Sequence, residues 1–372
     1  MSTKRVYILG AGSSIGHSKG IFPSLAEFFT TAEKQGLVKN SEFDKVLKFA
    51  KKVTGKDLLS KKSKAIDVEA LFTHIEIELE RSSSSELLSI REQLHKLIQS
   101  VLLSLETKIN ISQGEYHLLC SKLQPQPQPQ DTIITFNWDL LLDNILGRKE
   151  TLKKYSKGGS AIIDGLYEQF FFRLAACGEG TLDGITIEHP YQEWDSEFGH
   201  YLKVHGSIDW FYCSNDQCRA SRKVFPLSEP AKQHYCAECH EPVVLLVIPP
   251  VINKAYRQHP LIRRIWNVAA KEMSVAEELV IWGYSLPTTD FYATWLFRQA
   301  RQSLLKNITI INPSTFSKKK VLNKAFIRRF YDIFRDIVPK ESVHVYESFE
   351  DYCNDRDILS KHKIKAREIM RI

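Results

Sequence analysis

At 372 residues and 43% hydrophobic content, the chain can bury a large core, either as one α/β domain with insertions or as two domains. Its net charge of +7 is modest, and its basic clusters (Lys61-Lys62, Lys318-Lys319-Lys320, the tail from Lys361 to Arg371) are scattered, so solvated faces are expected and direct nucleic-acid binding is not. No apolar run approaches the roughly 18 residues of a membrane helix, and the N-terminus enters a strand too soon for a signal peptide, so a cytoplasmic location without a membrane partner is expected.

The first strand, Lys4-Arg5-Val6-Tyr7-Ile8-Leu9, runs into Gly10-Ala11-Gly12-Ser13-Ser14. Apolar β-favouring residues that stop at glycines and small hydroxyl residues mark a buried parallel strand whose end a phosphate can approach. A Cβ at Gly10 or Gly12 is expected to block both a positive-φ turn and that approach. The same pattern also occurs where nothing binds. The third glycine of a dinucleotide fingerprint would fall at Ile15 but comes at Gly16, and no strand ending in Asp or Glu follows about twenty residues on. A plain dehydrogenase is therefore disfavoured. Gly20-Ile21-Phe22-Pro23-Ser24 reads as a second turn.

Helical spacing then predicts segments over 25–35 with Gly36 as C-cap, 41–54 with Gly55 as C-cap, 68–80 behind Asp67, 86–108 and 115–123. Together they form an inserted helical module, 25–123. Its face of Leu71, Phe72, Ile75 and Leu79 suits core or an oligomer surface. The Pro/Gln tract 124–130 is an extended linker. Next, Thr132-Ile133-Ile134-Thr135-Phe136 is a β-branched strand whose end carries Asn137 and Asp139 around Trp138, where open α/β sheets bind ligands. Either polar residue could equally cap a helix begun by Leu140-Leu141-Leu142. Residues 147–199 show no clear pattern.

Tyr201 to Trp210 reads as one strand bearing His205 followed by Gly206. A lone histidine is usually structural; in company with Asn137 and the glycine turn, His205 becomes a candidate general base. Of the seven cysteines, Cys213 and Cys218 are separated by four intervening residues and Cys236 and Cys239 by two, with a polar loop between the pairs. Four thiolates can close a tetrahedral zinc shell, and a closed shell leaves no position for reacting water, so the ribbon 211–242 is predicted to hold structural Zn2+. His234 and His240 are then bystanders, while Cys120, Cys177 and Cys353 are expected to be unpaired thiols.

Strands over 243–248, 279–285, 307–313 and 343–346 alternate with helices over 260–273, from near 290, and over 320–334, which implies a parallel sheet with crossover helices. Its strand ends would gather Gly12, Asn137, Ser285 and Asn312 on one rim. The fold class is thus α/β: a Rossmann-like parallel sheet (1–24, 131–210 and 243–350) with crossover helices, an inserted helical module, a small zinc ribbon and a basic tail, 351–372.

Gly10-Ala11-Gly12-Ser13-Ser14, Thr135-Phe136-Asn137-Trp138-Asp139, His205-Gly206, the paired cysteines, Gly283-Tyr284-Ser285-Leu286 and Ile311-Asn312 occur in the order of the sirtuin-like superfamily, which the chain resembles over nearly its whole length. That resemblance implies NAD+ as substrate, broken at the nicotinamide glycosidic bond. It implies that Gly10, Ala11, Gly12 and Ser13 hold the pyrophosphate with the Gly283-Ser285 turn assisting, and that Asn312 meets the adenosine ribose. Asn137 would orient a water and the nicotinamide ribose, Asp139 the carboxamide, and His205 would act as base. Protein deacylases of the family carry Gly-Ile-Pro-Asp-Phe-Arg after the first loop and Phe-Gly-Glu after the ribbon. Here Gly20-Ile21-Phe22-Pro23-Ser24-Leu25 and Leu246-Val247-Ile248-Pro249-Pro250 stand instead. The chain therefore resembles most the bacterial sirtuin-like NAD hydrolases of antiviral defence, which implies a homo-oligomer or a separately encoded partner such as a HerA-type ATPase. NAD-dependent deacylation and a non-catalytic NAD or ADP-ribose sensor are the alternatives.

Overall fold

The computed structural model describes residues 3–39, 41–55, 68–82, 84–110, 113–123, 131–146, 180–182, 185–187, 200–221, 224–226, 234–248, 259–287, 290–315, 322–339 and 342–354. The 124–130 linker, Asp67, Cys177, Pro249-Pro250, the lysine clusters at 61–62 and 318–320 and the tail beyond 354 lie outside the described residues.

The chain builds a six-stranded sheet from β1 (Arg5–Leu9), β2 (Thr132–Thr135), β5 (Tyr201–Lys203), β9 (Glu278–Trp282), β10 (Asn307–Ile311) and β11 (Val343–Tyr346), in the order β11-β10-β9-β1-β2-β5. Every neighbouring pair is parallel, and β3 (Gly180–Leu182) and β4 (Ile185–Ile187) form a separate antiparallel pair. Strand β1 is central, with Val6 to Leu9 fully buried, as expected of a continuous apolar run covered on both faces. Side chains alternate between two cores. Tyr7, Leu9, Ile133, Val280 and Trp282 face one layer, and Val6, Ile8, Ile134, Leu279 and Ile281 face the other.

The first layer is covered by α1 (Ala11–His17), α2 (Phe28–Lys34), α3 (Asp44–Thr54), α4 (Val68–Arg81), α5 (Ser85–Glu106), α6 (Glu115–Lys122) and α7 (Leu141–Leu146). Leu71, Phe72, Leu94 and Val101 of α4 and α5 belong to the same hydrocarbon cluster as Tyr7 and Leu9. On the other face lie α8 (Pro260–Ser274), α9 (Phe291–Gln299) and α10 (Lys324–Phe334), and α11 (Phe349–Cys353) ends the described chain. Local signals set these ends: Ser84 Oγ accepts from Leu87 N at α5, Asp290 Oδ1 from Ala293 N at α9, and Asn323 Oδ1 from Phe326 N at α10.

Leu9 pairs with both Thr135 and Trp282, and Ile311 with both Trp282 and Tyr346, so five carboxyl ends stand level. From β1 the chain crosses to β2 on one side, while β9 adds on the other. The crevice between the β1 and β9 ends is thus the switch point at which such sheets accept ligands.

Five expectations are corrected. Residues 41–54 begin with a 3-10 turn, Ser41–Phe43, before α3, and the strand over 243–248 joins an antiparallel three-stranded sheet instead of the parallel one. Residues 25–35 are not one helix, since a 3-10 turn, Leu25–Glu27, precedes α2 and its Ser24 and Glu27 form a capping box. The stretch 201–210 is two strands. Gly206, at φ +76°, turns the chain out of the parallel sheet after β5, and β6 (Gly206–Tyr212) pairs antiparallel with β7 (Val224–Pro226) and β8 (Val244–Val247). Neither Gly10, at φ −121°, nor Gly12 has a positive φ; that conformation belongs to Gly283, at +68°.

Candidate active site

The glycines of the first turn are needed because two turns interlock. A Cβ on Gly10 would stand 2.6 Å from Tyr284 Cα, and one on Gly12 2.7 Å from Gly283 Cα. Gly12 N donates to Gly283 O at 2.8 Å and Gly10 N to Trp282 O at 3.0 Å, which locks the β1 end onto the β9 end. The N–H of Ser13 is also spent internally, on Gly10 O at 2.9 Å.

The β2 end enters the same knot. Asn137 Nδ2 donates to Gly10 O at 3.1 Å, to Ser14 Oγ at 3.0 Å and to Ser13 Oγ at 3.2 Å. Ser13 Oγ donates to Gly10 O at 2.7 Å, and Ser14 Oγ to Asp139 Oδ2 at 2.7 Å. Asp139 Oδ1 accepts from Leu141 N at 3.2 Å. Asn137 is thus held by its nitrogen, and among the described residues no donor reaches its Oδ1. Burial raises the Asp139 carboxyl above its ordinary range, opposed by Lys203 and by the Ser14 bond.

Asn137, Asp139, Ser14, Ala11, His205, Gly283 and Ser285 all line one cavity of about 940 Å³, its open mouth included. Its opposite wall is hydrocarbon: Phe22, Pro23, Leu25 and Phe28 from the second turn and α2, with Ile98 and Leu102 from α5. His205 is buried, with its ring edge-on to Phe136 at 5.1 Å, and Phe136 in turn stacks on Tyr284 at 4.5 Å. Among the described residues no Lys or Arg lines the cavity, whereas Asp139, Asp290 and Glu69 do. The buried Trp138 Nε1 has no partner among the described residues, an unfilled donor in a residue of the wall. Gly10, Gly12 and Ser13 sit beneath this lining rather than in it. Asn312 stays outside it as well, because its Oδ1 accepts from Ser314 N at 2.9 Å and its Nδ2 donates to Tyr284 O at 3.4 Å.

Four functional neighbours were not foreseen from the sequence. Lys203 Nζ donates to Asp139 O at 2.6 Å and pairs with Asp143 at 2.9 Å, while Glu106 Oε1 accepts from Leu140 N at 2.7 Å. One peptide unit, between Asp139 and Leu140, is therefore gripped at its carbonyl by a buried cation and at its N–H by a partly buried acid. Burial pushes the Glu106 carboxyl up to about 8, with Asp139 and Asp143 adding to the shift against the Leu140 bond. The fourth, Tyr116, touches Ser13 and Ser14 from α6. Lys203 inside an apolar strand was a readable signal of a buried partner; Tyr116 carried none.

Cys213, Cys218, Cys236 and Cys239 bring their sulfurs within 4.8 Å of one another, with Cys213 to Cys239 at 3.6 Å and Cys218 to Cys236 at 3.7 Å. A tetrahedral Zn–S shell places sulfurs about 3.8 Å apart, so the set can hold a zinc ion.

No protein-family model and no curated protein matches the chain. Among solved structures, a Sir2 homologue in complex with NAD aligns over 100% of this chain and 91% of its own at 12% identity and TM-score 0.40. A structure described as the structural basis of sirtuin substrate affinity aligns over 99% and 93% at 13% identity and TM-score 0.40. A Sir2 bound to an acetylated peptide aligns over 98% and 94% at 12% identity and TM-score 0.39. The fold rests on this chain's own strand order and register.

Proposed function

We propose that the chain is a sirtuin-like enzyme that hydrolyses NAD+ at the nicotinamide glycosidic bond, giving nicotinamide, ADP-ribose and a proton, and that it serves bacterial antiphage defence by depleting NAD. The observation that carries the reading is the meeting of Asn137 and His205, 68 positions apart in sequence, on one cavity at the sheet's switch point. Asn137 presents a carbonyl oxygen with no donor among the described residues, suited to accept from a water or a ribose hydroxyl and so to aim its lone pair at the anomeric carbon. His205 stands on the same wall to take the proton released as water adds. The lining, acidic and without Lys or Arg among the described residues, favours the cationic nicotinamide ring and the positive charge that develops on the ribose as that ring leaves neutral. Asp139 can accept from the carboxamide, and the unfilled Trp138 N–H from the same wall offers a donor. The pyrophosphate would pass Ala11 and Ser285, the members of the two interlocked turns that line the cavity with Gly283.

Water as the acceptor is supported by the two sequence departures at 20–25 and 246–250. The defence role, a homo-oligomer and a separately encoded ATPase partner rest on the sequence resemblance alone. Chromatographic assay of the purified protein with NAD alone, and with NAD plus an acyl-lysine peptide, separates the readings. Nicotinamide and ADP-ribose from NAD alone, with no gain on adding peptide, is the expected result. A requirement for peptide would establish a deacylase instead, and NAD binding without turnover a sensor.

A further inference from the structure

Beneath the cavity lies a closed quadrilateral of polar atoms. The Tyr116 hydroxyl is 2.9 Å from Ser13 Oγ and 2.9 Å from Ser14 Oγ, and both serines are in turn 3.2 and 3.0 Å from Asn137 Nδ2. Each serine has one proton, and both are committed elsewhere: Ser13 to Gly10 O, Ser14 to Asp139 Oδ2. The serines therefore meet Asn137 and Tyr116 with lone pairs. Their other two neighbours must donate: the single phenol proton serves one serine at a time or is shared between the two, the amide NH2 donates from the other side, and an amide oxygen could not take that place. Asn137 Oδ1 is left to the cavity.

The Tyr116 ring is itself fixed. It stacks on His17 at 4.6 Å, meets Trp282 edge-on at 5.2 Å, and its backbone N–H donates to His17 Nδ1 at 3.3 Å. Burial holds His17 down at about 4, so the imidazole is neutral near pH 7 and its Nδ1 can accept. The hydroxyl thus reaches the serines from an anchored ring and, apart from Asn137 itself, is the group among the described residues that bridges both.

We propose that Tyr116 is a positioning residue for Asn137. Its hydroxyl holds Ser13 and Ser14 in the rotamers that receive the Asn137 NH2, and so fixes the amide with its carbonyl oxygen toward substrate. The Tyr116 hydroxyl does not line the cavity and acts through the serines. The kinetic consequence rests on the NAD reading above; the structural one does not.

The test is Tyr116→Phe, which keeps the ring, its stacking and its N–H bond, read in two ways. In 15N-asparagine-labelled protein, the Asn137 side-chain NH2 pair, identified by its loss in Asn137→Ser, is expected to exchange with solvent about tenfold faster in Tyr116→Phe, while β1 and β9 backbone amides keep their wild-type rates. In the nicotinamide-release assay, kcat is expected to fall about tenfold with KM for NAD unchanged within about twofold. Ser13→Ala, which removes the other end of the same contact, should reproduce both changes. Wild-type exchange of the Asn137 NH2 in Tyr116→Phe would overturn the inference whatever the kinetics, and so would a rise in KM at constant kcat. If wild-type protein releases no nicotinamide, the NAD reading fails, and the exchange rates still decide the role of Tyr116.

Discussion

At the sheet rim, polar groups are held by other polar groups: Asn137 by a carbonyl and two serines, Asp139 by Ser14 and a backbone N–H, and the peptide between Asp139 and Leu140 by Lys203 and Glu106. That is possible because both faces of the strands beneath are sealed by hydrocarbon, which lowers the local dielectric and strengthens every satisfied bond. In the cysteine ribbon the buried cluster is Phe211, Cys213, Ala220, Cys236 and Val243, so two of its five members are themselves candidate ligands. A core that small cannot offset the entropy of ordering its loops. The rim is therefore stable through the fold, and the ribbon through its metal.

The largest effect expected from this contrast is in the ribbon. Cys236→Ser should abolish zinc retention and expose the amides of 211–243 to exchange, because structural zinc contributes about 10–16 kcal/mol of apparent binding free energy to such sites. Strands β1, β9 and β10 should keep their protection. Hydrogen exchange with metal analysis reads both, and a ribbon that stays protected without metal would break the contrast.

Next in size is Asn137→Ala, expected to cut nicotinamide release by about 10²–10³-fold, the usual loss for one preorganised polar group. Its stability cost should be only about 1 kcal/mol, that of a hydrogen bond. His205→Ala should behave alike. Full activity in either variant would remove the proposed role.

Gly12→Ala tests the interlocked turns. A methyl 2.7 Å from Gly283 Cα forces the β1 and β9 ends apart, at an expected cost of about 1–3 kcal/mol in the denaturant midpoint. A wild-type midpoint would show that the two turns are not in register.

The smallest effect sharpens the account of the charged clamp. The Glu106 carboxyl sits at about 8 in the fold against an ordinary 4.5, so between those values the native state binds the extra proton. The stability it contributes is complete below about pH 4.5 and is lost as pH rises through about 8. Glu106→Gln keeps an oxygen for Leu140 N and cannot ionise, so its melting temperature should exceed that of wild type at pH 8 and converge with it near pH 4.5. Parallel pH profiles would contradict the partly buried acid.

Much of this architecture is readable without coordinates, and the reasons are local. The apolar run 6–9, the glycines after it and the β-branched run 132–135 fix two strands and their ends, and Gly55, Ser84 and Asp290 mark helix ends through their own backbone or side-chain chemistry. What escaped depended on partners distant in sequence. The turn at Gly206 gives no break in burial, because β5 and β6 are both buried, their polar residues included, although they serve different sheets. The glycine requirement at 10 and 12 is set by the backbone of Gly283 and Tyr284, more than 270 positions on, so sequence alone assigned it to φ and to phosphate. Tyr116 reaches Ser13 across 103 positions and Glu106 reaches Leu140 from the last residue of α5, contacts that no local spacing encodes.

The most direct measurement is a crystal structure of Asn137→Ala with NAD bound, the variant chosen so that substrate survives. The nicotinamide ribose is predicted in the cavity between position 137 and His205, with the carboxamide toward Asp139. NAD bound elsewhere, for example in the polar cleft between α5 and the ribbon lined by Gln99, His234 and Glu241, would contradict the account at its centre.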